Sequence, residues 1–267
     1  QLNYRLDDSR SLMIMTDNAG YLADQKEYFI PKFAMEKMEA WSEVPVKKKY
    51  KKQPVVTFNK TVEISDGIYY DDQYCYKYSF PSVAKGVKLV STSTTVTTET
   101  RLPVTFYFGG FSPVEEAVVK VYVPNNVKIK YRLFGSDTNL VSLTVQQKKE
   151  VQIYTWTASL PKAYDGDGHA PSIHYFVPHI IIQAAGYYNS KGYQPLIENL
   201  DQLYAFNYSN VENINTLINK DIAHLADSLT AGISGPREKV RAIYRWVQQN
   251  IKYVAIEDGD NGLVPRP

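Results

Sequence analysis

Val127, Ile129, Tyr131 and Leu133 alternate with Lys128, Lys130 and Arg132. A period of two puts apolar groups on one face of a strand and cations on the other. Pro124-Asn125-Asn126 just ahead is a turn signal, so Val118–Val123 and this run predict a hairpin with one wet face. Leu140–Val145 and Val151–Thr157 predict a second pair, joined through the polar run Gln146–Glu150. Ser91–Thr100 is almost entirely Ser, Thr and Val, without Pro or Gly. Its β-branched content predicts a long strand rather than a Ser/Thr stalk. Lys37–Val44 and Lys49–Val56 read as two strands around Pro45 and a charged turn. Near the start, Leu12–Met15 followed by Asp17-Asn18-Ala19-Gly20 predicts a short hairpin. Roughly ten strands at this spacing, with no helix between them, define a mainly β chain of antiparallel sheets, sandwich-like in build.

The period changes near Tyr193. Pro195 is expected to open a short helix through Leu196, Leu200, Leu203 and Tyr204. Ser209-Asn210-Val211-Glu212 fits a capping box. Val211, Ile214, Leu217, Ile218, Ile222, Leu225 and Leu229 then recur at helical spacing, and Gly232 supplies the stop. A third helix is expected from Gly235 as N-cap and Pro236 at the first position, with Glu238 near the positive end of its dipole. Val240, Ile243, Tyr244, Val247 and Ile251 would form its buried stripe. These signals divide the chain into a β-rich domain over residues 1–210 and a helical segment over 211–267.

Composition narrows the function classes. Thirty Lys and Arg against 28 Asp and Glu leave a net charge of +2 over 267 residues, so neither nucleic acid nor an anionic membrane is the expected partner. No apolar run is long enough to form a transmembrane segment. The chain opens on Gln1 rather than Met, as a processed N-terminus would. Cys75 is the one cysteine, which excludes an intrachain disulfide and any Cys-based metal cluster. Within the alternating run Tyr74–Tyr78 it reads as a small buried apolar residue rather than a nucleophile. The 22 tyrosines include Tyr69-Tyr70, Tyr74/Tyr76/Tyr78 and Tyr187-Tyr188. They suit half-buried strand margins; the sharper reading is a stacking platform for glycan or peptide.

The candidate chemical motifs do not hold up. Asp165-Gly166-Asp167-Gly168-His169 begins like a calcium loop, but its fifth position is His169 and its twelfth is Phe176, so the ligand pattern fails. His169, His174, His179 and His224 form no zinc motif and read as structural histidines. Lys47, Lys48, Lys49, Lys51 and Lys52 read as a solvated turn or a lysine-blunted edge strand rather than a polyanion site. No catalytic residue, cofactor-binding residue or metal ligand is assigned.

The helix from Pro236, with Ala242-Ile243-Tyr244, Trp246-Val247, Asn250-Ile251 and Tyr253, resembles the opening helix of bacterial transglutaminase-like cysteine enzymes. Ile256-Glu257-Asp258-Gly259 and Pro265-Arg266-Pro267 match the loop that leads toward their nucleophile. An ordered series runs before it: Phe80-Pro81-Ser82-Val83, Leu102-Pro103, Val123–Val127, Tyr131–Gly135, Tyr154–Ala158, Ala170–Tyr175 and Val177–Ile181. It is similar to the β-rich domain of unknown function that precedes such cores in Gram-negative bacteria. The resemblance covers about residues 35–267 and leaves the first stretch unaligned. It implies a Cys-His-Asp core in the same polypeptide, with the nucleophile expected after Pro267, and an α/β transglutaminase-like fold that begins in the last helix. The chain would then be a non-catalytic part that supports the core or supplies it with a peptide or glycan substrate, exported to the periplasm or cell envelope. The alternative is an envelope glycan- or protein-binding β-sandwich module.

Overall fold

The computed structural model describes residues 2–63, 68–71, 73–164, 169, 171–212, 219–252 and 255–257. The chain divides into two compact units. A split unit joins Tyr4–Thr98 to Phe206–Pro267, and a central unit holds Glu99–Ala205 with Gln1–Asn3. The chain is mainly β, with three helices toward its end.

The split unit begins with β1 (Tyr4–Met13), β2 (Asp24–Phe29), β3 (Phe33–Val46), β4 (Lys49–Pro54), β5 (Asn59–Val62), β6 (Ile68–Asp71), β7 (Tyr74–Ser79) and β8 (Lys88–Thr97). The Ser/Thr/Val-rich run is β8, as expected, and lies between β1 and β3 in the antiparallel sheet β1-β8-β3-β4. The lysine-rich pair is a hairpin closed by Lys47-Lys48, with Val46 opposite Lys49 and Lys47 at φ 57°. β4 is the outer strand of that sheet, so its lysines blunt an open edge. One of them, Lys52, rests on the Trp41 ring at 3.6 Å.

The hairpin expected near the start does not form. β1 pairs with β8, and β2 pairs with β7 in a second antiparallel sheet, β2-β7-β5. Ile14 explains the divergence: its N–H donates to Val87 O and its carbonyl accepts from Gly86 N, at 2.9 and 2.8 Å. That clamp holds the end of β1 on β8. Ile14, Ala19, Ala40, Tyr78, Phe80, Val87 and Leu89 form the core of the unit.

The central unit contains β9 (Val104–Tyr107), β10 (Val114–Pro124), β11 (Val127–Phe134), β12 (Ser142–Gln147), β13 (Val151–Leu160), β14 (His179–Asn189) and β15 (Gly192–Pro195). β12 and β13 pair as expected. β10 and β11 do not pair with each other. β10 joins the sheet β10-β13-β12, and β11 joins β11-β14-β15, with β9 also on β14. The turn is real but passes the chain from one sheet to the other. Asn125 N donates to Glu150 O, while Asn126 O accepts from Tyr188 N, so each asparagine is tied to a different sheet. Inward residues of both sheets meet in one core: Trp156, Ala158 and Leu160 against Ile180, Ile182 and Phe108, with Val119, Ile129 and Leu133 alongside.

After the strands come α1 (Leu200–Val211), α2 (Lys220–Thr230), α3 (Pro236–Asn250) and the short β16 (Ala255–Glu257). Pro195 ends β15 instead of opening a helix. α1 starts later, where Asn199 Oδ1 accepts from Gln202 N and Gln202 Oε1 accepts from Glu198 N, at 2.9 and 2.7 Å. Ser209 is not a cap. It lies inside α1 and its hydroxyl donates to Phe206 O at 2.7 Å, the local back-bonding open to Ser in a helix. The cap of α2 is Asn219, which accepts from Asp221 N. Ile214, Leu217 and Ile218 lie outside the described residues.

Gly232 sits at φ 74° after α2, where a residue without Cβ is favoured. α3 starts as expected, with Gly235 as N-cap, Pro236 in its first turn and Glu238 beside it. The stripe expected to be buried is not. Val240 is 67% exposed, Tyr244 60%, Ile251 58%, Val247 43% and Ile243 36%. α3 packs against α2, and on α3 Ala242 and Trp246 are half-buried. β16 then runs parallel to β6, Ile256 opposite Tyr70. Among the described residues it is the one parallel pairing.

Candidate functional site

Strand alternation gives the sheet β2-β7-β5 two faces. Tyr74, Tyr76 and Tyr78 share one of them with Phe29, and Cys75 and Lys77 lie on the other beside Lys26 and Thr61. The tyrosines are packed together. Phe29 stacks on Tyr74 and Tyr76 at 5.7 and 5.1 Å, and Phe58 and Phe80 flank Tyr78 at 5.2 and 5.6 Å. Their ring faces are taken up by one another, so this run is a core margin.

On the opposite face, Cys75 is fully buried. Its thiol donates to Glu63 Oε2 at 2.9 Å and lies 3.2 Å from the Thr61 hydroxyl. Lys26 and Lys77 bind the same carboxylate at 2.6 and 3.2 Å. The thiol hydrogen bond, followed by those of the two ammonium groups, lowers the Glu63 pKa to about 2. Cys75 is buried, as expected, but its thiol serves as a donor to a carboxylate rather than as an apolar filler, and a nucleophile would need the opposite polarity.

Above this face is a cleft of about 470 Å³, lined by Asp24, Lys26, Asn59, Lys77 and Ser79, with Val55 and Val56 on its wall. Lys26 and Lys77 share Glu63, and Asp24 accepts from Ser79, so the charge of the floor is spent internally. Such a cleft can hold a small segment but offers no reacting group. Among the described residues, no cluster of three or more His, Cys, Asp or Glu could hold a metal.

The histidines are placed by their neighbours. His179 Nδ1 donates to Val177 O at 2.9 Å, and its ring lies between Tyr107 and Phe134 at 5.0 and 5.5 Å. His174 covers the far side of Tyr107 at 4.7 Å. His169 and His224 are exposed. Asp165-Gly166-Asp167-Gly168 lies outside the described residues, as does the chain from Asp258 to Pro267.

β9, β11, β14 and β15 together contain no Asp or Glu. The outer face of this sheet carries Lys128, Lys130 and Arg132, all exposed. Their contacts are rings and a carbonyl: Arg132 lies over Phe134 at 5.0 Å, Lys128 over Tyr188 and Tyr193 at 5.3 and 5.1 Å, and Lys130 donates to Glu198 O. Alternation showed the cations in sequence, but the absence of acids becomes visible only when the four strands are brought together.

The fold is that of a mainly antiparallel β protein carrying helices at its end. Residues 16–165 match the family described as a domain of unknown function with solved structure, DUF3857. That is more than half of the chain, which belongs to this family. The match includes residues 16–34, which the resemblance read from sequence had left unaligned. The chain also superimposes on the crystal structure of a "putative protease" from Parabacteroides distasonis, with a TM-score of 0.69 and 15% identity over 99% of its own length. It spans half the length of that protein. At this identity the likeness concerns the fold. Comparison with curated proteins gives no significant match.

Proposed function

We propose that the chain is the non-catalytic N-terminal part of a transglutaminase-like or cysteine-protease-like protein. In this reading residues 1–210 are a β-rich, sandwich-like support and residues 211–267 open the core. The Cys-His-Asp machinery lies after Pro267, acts on a peptide or glycan, and works in the periplasm or cell envelope. The observation that carries the proposal is the exposed stripe on α3. Val240, Ile243, Tyr244, Val247 and Ile251 follow the spacing of a core-facing helix, and such a row in solvent marks a surface that another element covers. The Parabacteroides protein, twice as long, supplies a precedent for further chain on this fold. The parallel pairing of β16 with β6 adds support, because it anchors the segment that follows α3 on the β part.

The test is Ile243→Arg, introduced into residues 1–267 and into a polypeptide that extends beyond Pro267. The expected result is an unchanged melting temperature for the shorter chain and a large loss for the longer one. Equal behaviour of the two would contradict the proposal. The cationic face of β11 supports the second reading, a glycan- or protein-binding module, as a role of the same β-rich part.

A further inference from the structure

We infer that the outer face of the sheet β9-β14-β11 with β15 is a binding site for a linear acidic polysaccharide. The inference stands apart from the thiol-core reading and uses only the central unit.

Charge is the first support. Lys128, Lys130 and Arg132 occupy alternate positions of β11, about 7 Å apart along the strand. That is within the Debye length of roughly 8 Å at physiological salt, so each cation feels the next. Among the described residues none of the three has a carboxylate partner; their contacts are the rings and the Glu198 carbonyl already described. The carboxylate of Glu198, whose carbonyl Lys130 contacts, accepts from the Tyr193 hydroxyl at 2.9 Å. The neighbours opposite the cations on β14 are Ile181, Gln183 and Gly186, all neutral. The contrast with the cleft floor of the split unit is direct, since the two lysines there are both paired with the Glu63 carboxylate.

Shape is the second. The row of cations is closed at each end by aromatic side chains held in cross-strand register. Tyr107, His179 and Phe134 are direct partners across three strands, and Tyr188 faces Tyr193 across β14 and β15. Tyr107 and Tyr188 are both exposed. A sugar ring can set its apolar C–H face against the exposed Tyr188 at one end, while carboxylates along the chain meet the cations beyond it. At the other end Tyr107 is already flanked by His174 and His179 and offers only its edge.

A nucleic acid fits less well. Nucleic-acid modules commonly exceed pI 9, whereas this chain has a sequence pI of about 8.3 and a net charge of +2. An acidic peptide adding a strand would dock along β11, the outer strand of this sheet, whereas the cations stand on the sheet face, and poly-glutamate among the probes below separates the two.

The test uses the whole chain and affinity electrophoresis or calorimetry with four probes: polygalacturonate, dextran, a single-stranded oligothymidylate and poly-glutamate. Polygalacturonate should bind and dextran should not. Lys128→Gln, Lys130→Gln and Arg132→Gln together should weaken binding about tenfold or more. Removing the same charge from the β3–β4 hairpin, as Lys48→Gln, Lys49→Gln and Lys51→Gln, should leave binding almost unchanged. Equal losses in the two triple variants would reduce the effect to net charge and overturn the assignment. Tighter binding of the oligonucleotide or of poly-glutamate, or no binding of polygalacturonate, would overturn it as well. All six lysine and arginine positions are exposed, and circular dichroism of both variants confirms that the fold is retained.

Discussion

β13 and α3 carry equally regular apolar patterns and end in opposite environments. On β13 the inward residues Trp156, Ala158 and Leu160 are buried, because a second sheet lies over them. On α3 the apolar row stays in solvent, although its spacing, cap and first turn are those of a helix that faces a core. Periodicity specifies that a face is apolar. It does not specify that its cover belongs to the same unit.

The largest expected effect tests the closed side. Trp156→Ala should cost about 3–5 kcal/mol, since the ring is fully buried between Tyr154 and Tyr131, with centroids at 5.7 and 5.0 Å. Chemical denaturation measures it; a loss below about 1 kcal/mol would show that the core around β13 is loosely packed. Gly135→Ala comes next, at roughly 1–3 kcal/mol or more. Gly135 sits at φ 94°, and an added Cβ would lie 2.4 Å from the Val177 carbonyl oxygen, which is backbone and cannot swing aside. Thermal melts of the purified variant provide the check.

The charge cluster in the split unit offers an intermediate effect with a pH signature. The Glu63 pKa is about 2 in the folded chain against an ordinary 4.5. Its contribution is therefore complete above about pH 4.5 and is lost as the pH falls toward 2. Glu63→Gln should lower the melting temperature at pH 6, where Lys26 and Lys77 lose their shared partner, and the difference from wild type should shrink steadily through that window. A difference that does not depend on pH would assign the effect to packing instead. The smallest effect belongs to the open side. Val240→Ser and Val247→Ser should each change the stability of residues 1–267 by no more than about 0.5 kcal/mol. A loss of several kcal/mol would mean that the α3 row is covered within this chain.

Local signals were legible where the residues that carry them are neighbours. Gly235 and Pro236 started α3, Lys47 and Lys48 closed the β3–β4 hairpin, and the Ser/Thr/Val run gave β8. Partner choice was not legible. Asn125-Asn126 reads identically whether the chain folds back on itself or crosses to a second sheet, and only the bonds to Glu150 and Tyr188 decide it. The Ser209 signature failed for a related reason, because α1 had already begun at Leu200 and a serine inside a helix bonds backwards. Cys75 was read correctly as buried, but its carboxylate partner lies twelve residues away at Glu63, beyond any local pattern. The acid-free sheet was missed because four separated strands must be summed to see it.

Under the proposed function, α3 opens a thiol-dependent core whose reactive groups follow Pro267. The most direct measurement is alkylation of the polypeptide extended past Pro267 with a chloroacetamide probe, mapped by mass spectrometry. Rapid labelling of one cysteine downstream of Pro267 is expected, with Cys75 protected by its burial and its bond to Glu63. Labelling at Cys75 alone, or an extension without cysteine, would contradict it.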